Sequence, residues 1–474
     1  MAMGRKRARQ QSMWVMPARS PGHPFFEKLN ALLNEAAFDE AVEKLCAPHY
    51  AGEGERGGTS TPPGVYFRML LIGYFEGIES ERGIEWRCAD SLSLKEFLGL
   101  GGHQRVPDHS SLSRTRKRLP AEVFDKVFQL ILGLVEAKGL LKGKVAGVDS
   151  TYLRADASMK AIVSKKTGEE YREYVLRLAR ESGLVEPTIE EAVRLDRRRK
   201  GKKTSNADWK SSTDPDARIA RLKDGRTRLA YKPEHVVDLE TGAIVSADVF
   251  AADESDASTL KTSLEKAKEN IDVAKTKDSD HDDDPPAGAA RRDEVKMEVV
   301  ADKGYHKAEL LLELKDAGFR TYIPERKQAG RRHWQNKGGA RTAHAVYQNR
   351  TRVSRKKSKA LQRRRGELVE RPFAHICETG GHRRTRLRGI ENMKKRYVIQ
   401  VAAANLGLIM RSLYRWGTPR GLADARRVAL WLLYVLLLAW AALRSLFRPK
   451  PSPGIVALIL PVLAGRNVAV STGC

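Results

Sequence analysis

A change of hydrophobic period near residue 144 constrains this chain more than any other feature. From Phe25 to about Gly143, apolar residues recur at helical spacing, as in Phe25, Leu29, Leu32 and Leu33, and again in Phe124, Phe128, Leu132 and Val135. From Lys144 the period shortens. KVAGVDSTYLRA is β-branched, aromatic and brief, which predicts a strand. HVVDLETGAIVSADVF then reads as a hairpin turning at Glu240-Thr241-Gly242, and Asp256 to Ile271 as an amphipathic helix. EVKMEVVAD is a further strand, KAELLLELKDAG a helix stopped by Gly318, and FRTYI another strand. Helices are expected near Glu367 to Cys377 and from Met393 to Leu413. This order predicts an α/β domain with a mixed sheet, preceded by an all-α domain.

Charge narrows the function. The chain has 474 residues, with 86 Lys and Arg against 59 Asp and Glu, a formal net charge of +27. That excess disfavours an enzyme of small neutral metabolites and favours a polyanionic partner. Two basic segments stand out: RLDRRRKGKK, and Arg350 to Arg365, which holds no acid. Asp108 in PDHSSLSRTRKRL predicts the N-cap of a short helix presenting Arg114, Arg116 and Lys117. Together with Arg355, Lys356, Lys357, Arg363, Arg364 and Arg365, these are the expected contacts to that polyanion, whether DNA, RNA or an anionic membrane surface. Cys46, Cys88, Cys377 and Cys474 show no CxxC spacing, so neither a disulfide scaffold nor a zinc ribbon is expected, and the expected compartment is a reducing cytoplasm. Met1 to Gln10 is basic but lacks a following apolar region, so it reads as an arm rather than a secretory signal.

The expected divisions are a basic arm at 1–24, a helical domain at 25–143, and an α/β domain at 144–413. Within the last, basic insertions are expected near 157–226 and 325–365. A tail at 414–474 has no assigned role. It contains an uncharged run from Val428 to Leu443, just short of a membrane span, so a membrane-associated helix is a minor alternative there. His281-Asp282-Asp283-Asp284 reads as a solvated acidic loop, and His235, His306 and His375 as packed histidines.

Three acids carry the chemistry. Asp149 lies inside an apolar strand, where Asp is depleted, and Gly147 and Thr151 on its face leave room for an ion. Asp302 closes MEVVAD before Lys303-Gly304-Tyr305 and projects from the carboxyl end of a strand, where ligand sites of open α/β sheets gather. Glu370 follows the second basic run in GELVERPFAHI, with Glu367 and Glu378 close by. Each alone has an ordinary explanation as a turn or surface acid. Together, beside basic segments, they form a hard-oxygen donor set suited to two Mg²⁺ or Mn²⁺ ions and to phosphodiester displacement.

The chain resembles the DDE transposases of bacterial insertion sequences, from about Phe25 to Arg411. The resemblance is carried by PPGVYFRMLLIGYFEGIESERGIEWRCAD and PDHSSLSRTRKRL, then by GVDST, TDPDAR, YKPEHVVDLETGAIVSADVFAADESD, VVADKGY and ELVERPFAHI. It implies an RNase H-like core, with Asp149, Asp302 and Glu370 as the catalytic, metal-binding acids. Some relatives place a Tyr, an Arg and a Lys around the glutamate; here those positions hold Arg363, Gly366 and Cys377. The implied function is binding of terminal inverted repeats in double-stranded DNA, cleavage at the element's ends, and joining of the 3′ ends to target DNA. Concerted action at two ends implies at least a dimer on DNA, in a bacterial, nucleoid-associated setting. The alternatives are a catalytically inactive transposase-derived DNA-binding protein, against which the presence of all three acids argues, and a membrane-tethered basic protein.

Overall fold

The computed structural model describes residues 22–50, 60–199, 206–222, 224–276, 297–326, 339–381 and 383–446. The basic arm up to residue 21, the acidic loop at 281–284, Cys474 and part of RLDRRRKGKK lie outside them. The chain divides into two compact units, Met1–Pro419 and Arg420–Cys474.

The first unit opens with α1 (Pro24–Glu35), α2 (Phe38–Cys46), α3 (Pro63–Glu76), α4 (Glu81–Ala89), α5 (Leu92–Phe97), α6 (His109–Arg118) and α7 (Ala121–Ala137). Helix α3 is buried from Pro63 to Phe75, as its apolar circumference demands, and it forms the axis of the group. A charged knot fixes it. Arg68, fully buried, donates to Asp39 Oδ1 at 2.8 Å and Oδ2 at 2.9 Å, to Asn30 Oδ1 at 2.8 Å, to Asn34 Oδ1 at 3.1 Å and to the Phe97 carbonyl at 3.0 Å. The planar guanidinium thereby ties α1, α2, α3 and α5 together. Asp108 caps α6 as expected, its Oδ1 accepting from Ser111 N at 2.7 Å.

The sheet begins with β1 (Val145–Ser150) and β2 (Leu153–Arg154), and continues after an insertion that holds β3 (Ile162–Ser164), α8 (Tyr171–Glu181), α9 (Ile189–Arg198), β4 (Trp209–Ser211) and β5 (Arg218–Arg221). Next come β6 (Thr227–Asp238), β7 (Ile244–Ala251), α10 (Asp256–Thr276), β8 (Met297–Val300), α11 (Ala308–Asp316) and β9 (Phe319–Tyr322). Antiparallel pairing joins β7 to β6 and β6 to β1; parallel pairing joins β1 to β8 and β8 to β9. The order β7-β6-β1-β8-β9 makes this the expected mixed sheet of an RNase H-like core. Gly242 at φ +84° and Gly318 at φ +85° take the left-handed turns that end the hairpin and α11.

Helices α12 (Gly339–Val353), α13 (Lys356–Ala374) and α14 (Ile390–Tyr414) complete the unit. Arg350 to Arg365 closes α12 and supplies the first half of α13, so the basic run belongs to the helix that carries Glu370. Lys, Arg, Gln, Leu and Ala are good helix formers, and charge alone disguised that propensity. Pro372 sits within α13 rather than starting it, and a π-helical turn follows at His375–Thr379.

The outer edge of β7 is covered. Asn405 of α14 bonds both the N–H and the carbonyl of Ile244, and Asn270 of α10 donates to the Val245 carbonyl at 2.9 Å. Helix α7 packs against both α10 and α14, so the last helix of the N-terminal group belongs to the wall around the sheet. The second unit is described through α15 (Pro419–Leu446), whose large apolar residues between 430 and 438 are exposed. Among the described residues, no helix is long and apolar enough to cross a membrane.

Candidate active site

Strands β1 and β8 run parallel with Val145 opposite Glu298 and Gly147 opposite Val300. Continued two residues, that register sets Asp149 beside Asp302 at the carboxyl ends of adjacent strands. Asp302 is held in place by its own turn, Oδ1 accepting from Gly304 N at 2.7 Å. Asp149 accepts from Ser150 N at 2.8 Å and, through Oδ2, from Arg365 Nη1 at 3.0 Å. A guanidinium therefore balances the charge of the first aspartate.

Helix α13 lies directly on β1. A Cβ at Gly147 would stand 2.6 Å from Leu239 Cδ2 and 2.8 Å from Val369 Cγ2, so only glycine permits this approach. The expectation that Gly147 leaves room for an ion is thereby corrected: its space is filled by side chains. Gln362 fastens the same helix across the ends of β8 and β9, donating to the carbonyls of Ala301 at 3.1 Å and Tyr322 at 2.8 Å. Glu370 follows Val369 and is exposed. Its neighbours are engaged elsewhere, Glu367 with Arg371 at 2.8 Å and Glu378 with Arg383 at 2.5 Å. Among the described residues, no three His, Cys, Asp or Glu stand close enough together to hold a metal ion, so Glu370 is not gathered with the two aspartates.

Several polar groups around the strand ends escaped the sequence reading. Asp256, at the start of α10, accepts from Ser150 Oγ at 2.9 Å and from Lys232 Nζ at 3.3 Å. A Cβ at Gly304 would meet Asp256 Oδ2 and Asp302 Oδ1, each at 2.8 Å, so these two carboxylates flank one glycine. Glu234 is fully buried; burial pushes its carboxyl up, against the opposing pull of Ser263, Thr259, Lys232 and Tyr305. His235 is buried as expected, and loss of water lowers its pKa to about 3, leaving a neutral ring. The signal for Glu234 was present in YKPEHVVD, where charged residues interrupt a strand whose other positions are apolar.

The expected DNA contacts divide. Arg114, Lys117, Arg355, Lys356, Arg363 and Arg364 are exposed. Arg116 is buried, ion-paired with Glu81 and donating to Asn392 Oδ1 at 3.2 Å, so it joins α6 to α4 and α14 and is not displayed to a ligand. Lys357 pairs with Glu298 at 2.7 Å, and that hydrogen bond raises its pKa. Arg365 is committed to Asp149. Burial pushes the thiols of Cys46 and Cys88 up to about 12, which leaves them inert as nucleophiles.

The sheet order and its strand-end aspartates define the RNase H-like class of fold. Two family models match the chain: Transposase domain (DUF772) over residues 15–118, and Transposase DDE domain over residues 199–406. Both matches are to transposase families, consistent with a DDE transposase of insertion-sequence type. The second match includes Asp302 and Glu370, while Asp149 lies in the strand ahead of it. Among curated proteins, no relative matches the chain.

Proposed function

We propose that this transposase binds the terminal inverted repeats of its element, cleaves a phosphodiester at each end, and joins the freed 3′ ends to target DNA. The observation that supports this reading best is the β1–β8 register, which sets Asp149 beside Asp302 at the open end of the sheet. The donor chemistry fits divalent magnesium or manganese. Both aspartates offer only oxygen, and the cationic Arg365 already balances one of them, so the position accepts positive charge. Asp149 and Asp302 would hold the ions, and Glu370, which stands apart from them in this structure, would join as third ligand when α13 engages DNA. Two such ions, when bound, activate the attacking oxygen and stabilise the leaving oxygen of an in-line displacement.

The rest is the work of this chain's own residues. Water attacks the end phosphodiester and releases a 3′ hydroxyl; that hydroxyl then attacks a target phosphodiester, and a target 3′ oxygen leaves. Exposed Arg355, Lys356 and Arg363 on and beside α13 bring DNA phosphates toward the carboxylates. Residues 25–143 contribute Arg114 and Lys117 to end binding, residues 144–413 carry out cleavage, and two copies act together on paired ends. Asp149→Asn and Asp302→Asn test this. Each keeps the shape and removes the charge, so cleavage of an end-containing duplex is expected to vanish while the affinity for that duplex stays. Cleavage at an undiminished rate in either variant would remove that aspartate from the site.

A further inference from the structure

Glu234 and His235 are consecutive on β6, so their side chains leave opposite faces of the sheet. Across the ladder, on β1, Glu234 faces Ser150 and His235 faces Asp149. On one face, Tyr305 Oη donates to Glu234 Oε2 at 2.9 Å, and Thr259 and Ser263 of α10 anchor the same carboxylate at 2.9 and 2.5 Å. Tyr305 ends the turn that Asp302 begins. On the other face, His235 Nε2–H donates to the Val369 carbonyl at 3.2 Å, its ring stacks on Phe373 with centroids 3.7 Å apart, and Tyr397 Oη donates to Nδ1 at 3.3 Å. Val369 directly precedes Glu370.

One dipeptide thus grips, from two sides, the segments bearing Asp302 and Glu370, while its backbone is laddered to the strand bearing Asp149. Stability alone is a poor reason for this arrangement. A buried carboxylate and imidazole cost desolvation that an apolar pair of similar volume would avoid. A metal ligand, by contrast, must be held to within about half an ångström, and fully buried hydrogen bonds supply that precision. We propose that Glu234 and His235 are positioning residues: Glu234 sets the turn of Asp302, and His235 sets helix α13, whose Arg365 pairs with Asp149, against the strand that bears that aspartate. This rests on the reading of Asp149 and Asp302 as the cleavage site.

The test is Mn²⁺ binding to the full chain without DNA, followed by the electron paramagnetic resonance signal of the free ion. Tyr305→Phe removes only the hydroxyl that grips Glu234, and His235→Phe keeps a stacking ring but no donor. Each is expected to weaken Mn²⁺ binding by about tenfold, the lower end for residues that orient metal ligands. His235→Gln retains an N–H donor and is expected to recover most of that loss, and the affinity for end-containing DNA is expected to be unchanged in all three. Asp302→Asn is the control. If it binds Mn²⁺ as the unaltered chain does, the cleavage-site reading falls. If it loses Mn²⁺ while Tyr305→Phe and His235→Phe bind normally, the positioning inference alone falls. His235→Gln as weak as His235→Phe would overturn the role given to the His235 donor.

Discussion

Two aspartate–arginine pairs in this protein do opposite things. In the helical region, Arg68 and Asp39 are sealed from water, and further acceptors on Asn30, Asn34 and Phe97 complete the guanidinium's bonds. At the strand ends, Arg365 reaches Asp149 through one nitrogen, and the two side chains are 13% and 22% exposed. The first pair is locked among acceptors from three other helices and so specifies how four helices meet. The second remains open on the solvent side, so its acid can exchange a guanidinium for another cation. The same two residue types build structure where every donor is used, and an exchangeable pair where they are not.

That contrast can be broken by experiment. Arg68→Ala strands the Asp39 carboxylate in a dry interior and is expected to cost about 3–5 kcal/mol, read from urea unfolding. A loss below 1 kcal/mol would mean that the knot is incidental. On the other side, Gly147→Ala pushes a methyl into Leu239 and Val369 and is expected to cost about 1–3 kcal/mol by overpacking. Lifting α13 from β1 should also reduce cleavage more than it reduces DNA binding. A variant of normal stability would show that the helix does not press on the strand. Arg365→Gln is expected to change unfolding stability by only about 1 kcal/mol without metal, because water reaches the acid it leaves behind. A loss as large as that of Arg68→Ala would erase the distinction between the pairs.

The smallest effect concerns the exposed cations. Replacing Arg355, Lys356 and Arg363 together by Gln should flatten the salt dependence of duplex binding by about 2–3 units of slope, at about 0.9 per phosphate neutralised. Stability and preference among end sequences should hold. Adding Arg116→Gln to that set should destabilise the fold without a further change in slope, since this side chain is buried against Glu81.

What could be read beforehand follows from which interactions are local. The strand around Asp149, the Gly242 and Gly318 turns and the Asp108 cap depend on neighbours in sequence, and each is where its pattern places it. Strand β6 was half-seen, since TRLAYKPEH mixes charges and a proline into a strand that is buried from Leu229 onward. The start of α13 was missed because its basic residues resemble a solvated loop. The sequence pattern puts Arg116 among the DNA contacts, where it is instead buried, and assigns Arg68 no place. Whether an arginine on a helix faces water or a distant acid depends on packing between α4, α6 and α14, or between α1, α2, α3 and α5. The same holds for Glu234 and Asp256, whose partners come from strands and helices far apart in sequence.

The central claim is that Asp149, Asp302 and Glu370 form one cleavage site, and Glu370 is its most exposed member. Glu367 and Glu378 are ion-paired to Arg371 and Arg383, while Glu370 follows the residue packed on Gly147. The decisive measurement is Mg²⁺-dependent cleavage of a single end-containing duplex by Glu370→Gln, Glu367→Gln and Glu378→Gln. The account predicts that Glu370→Gln binds the duplex normally and does not cut it, while the other two retain most of their activity. An active Glu370→Gln beside an inactive Glu367→Gln would contradict it.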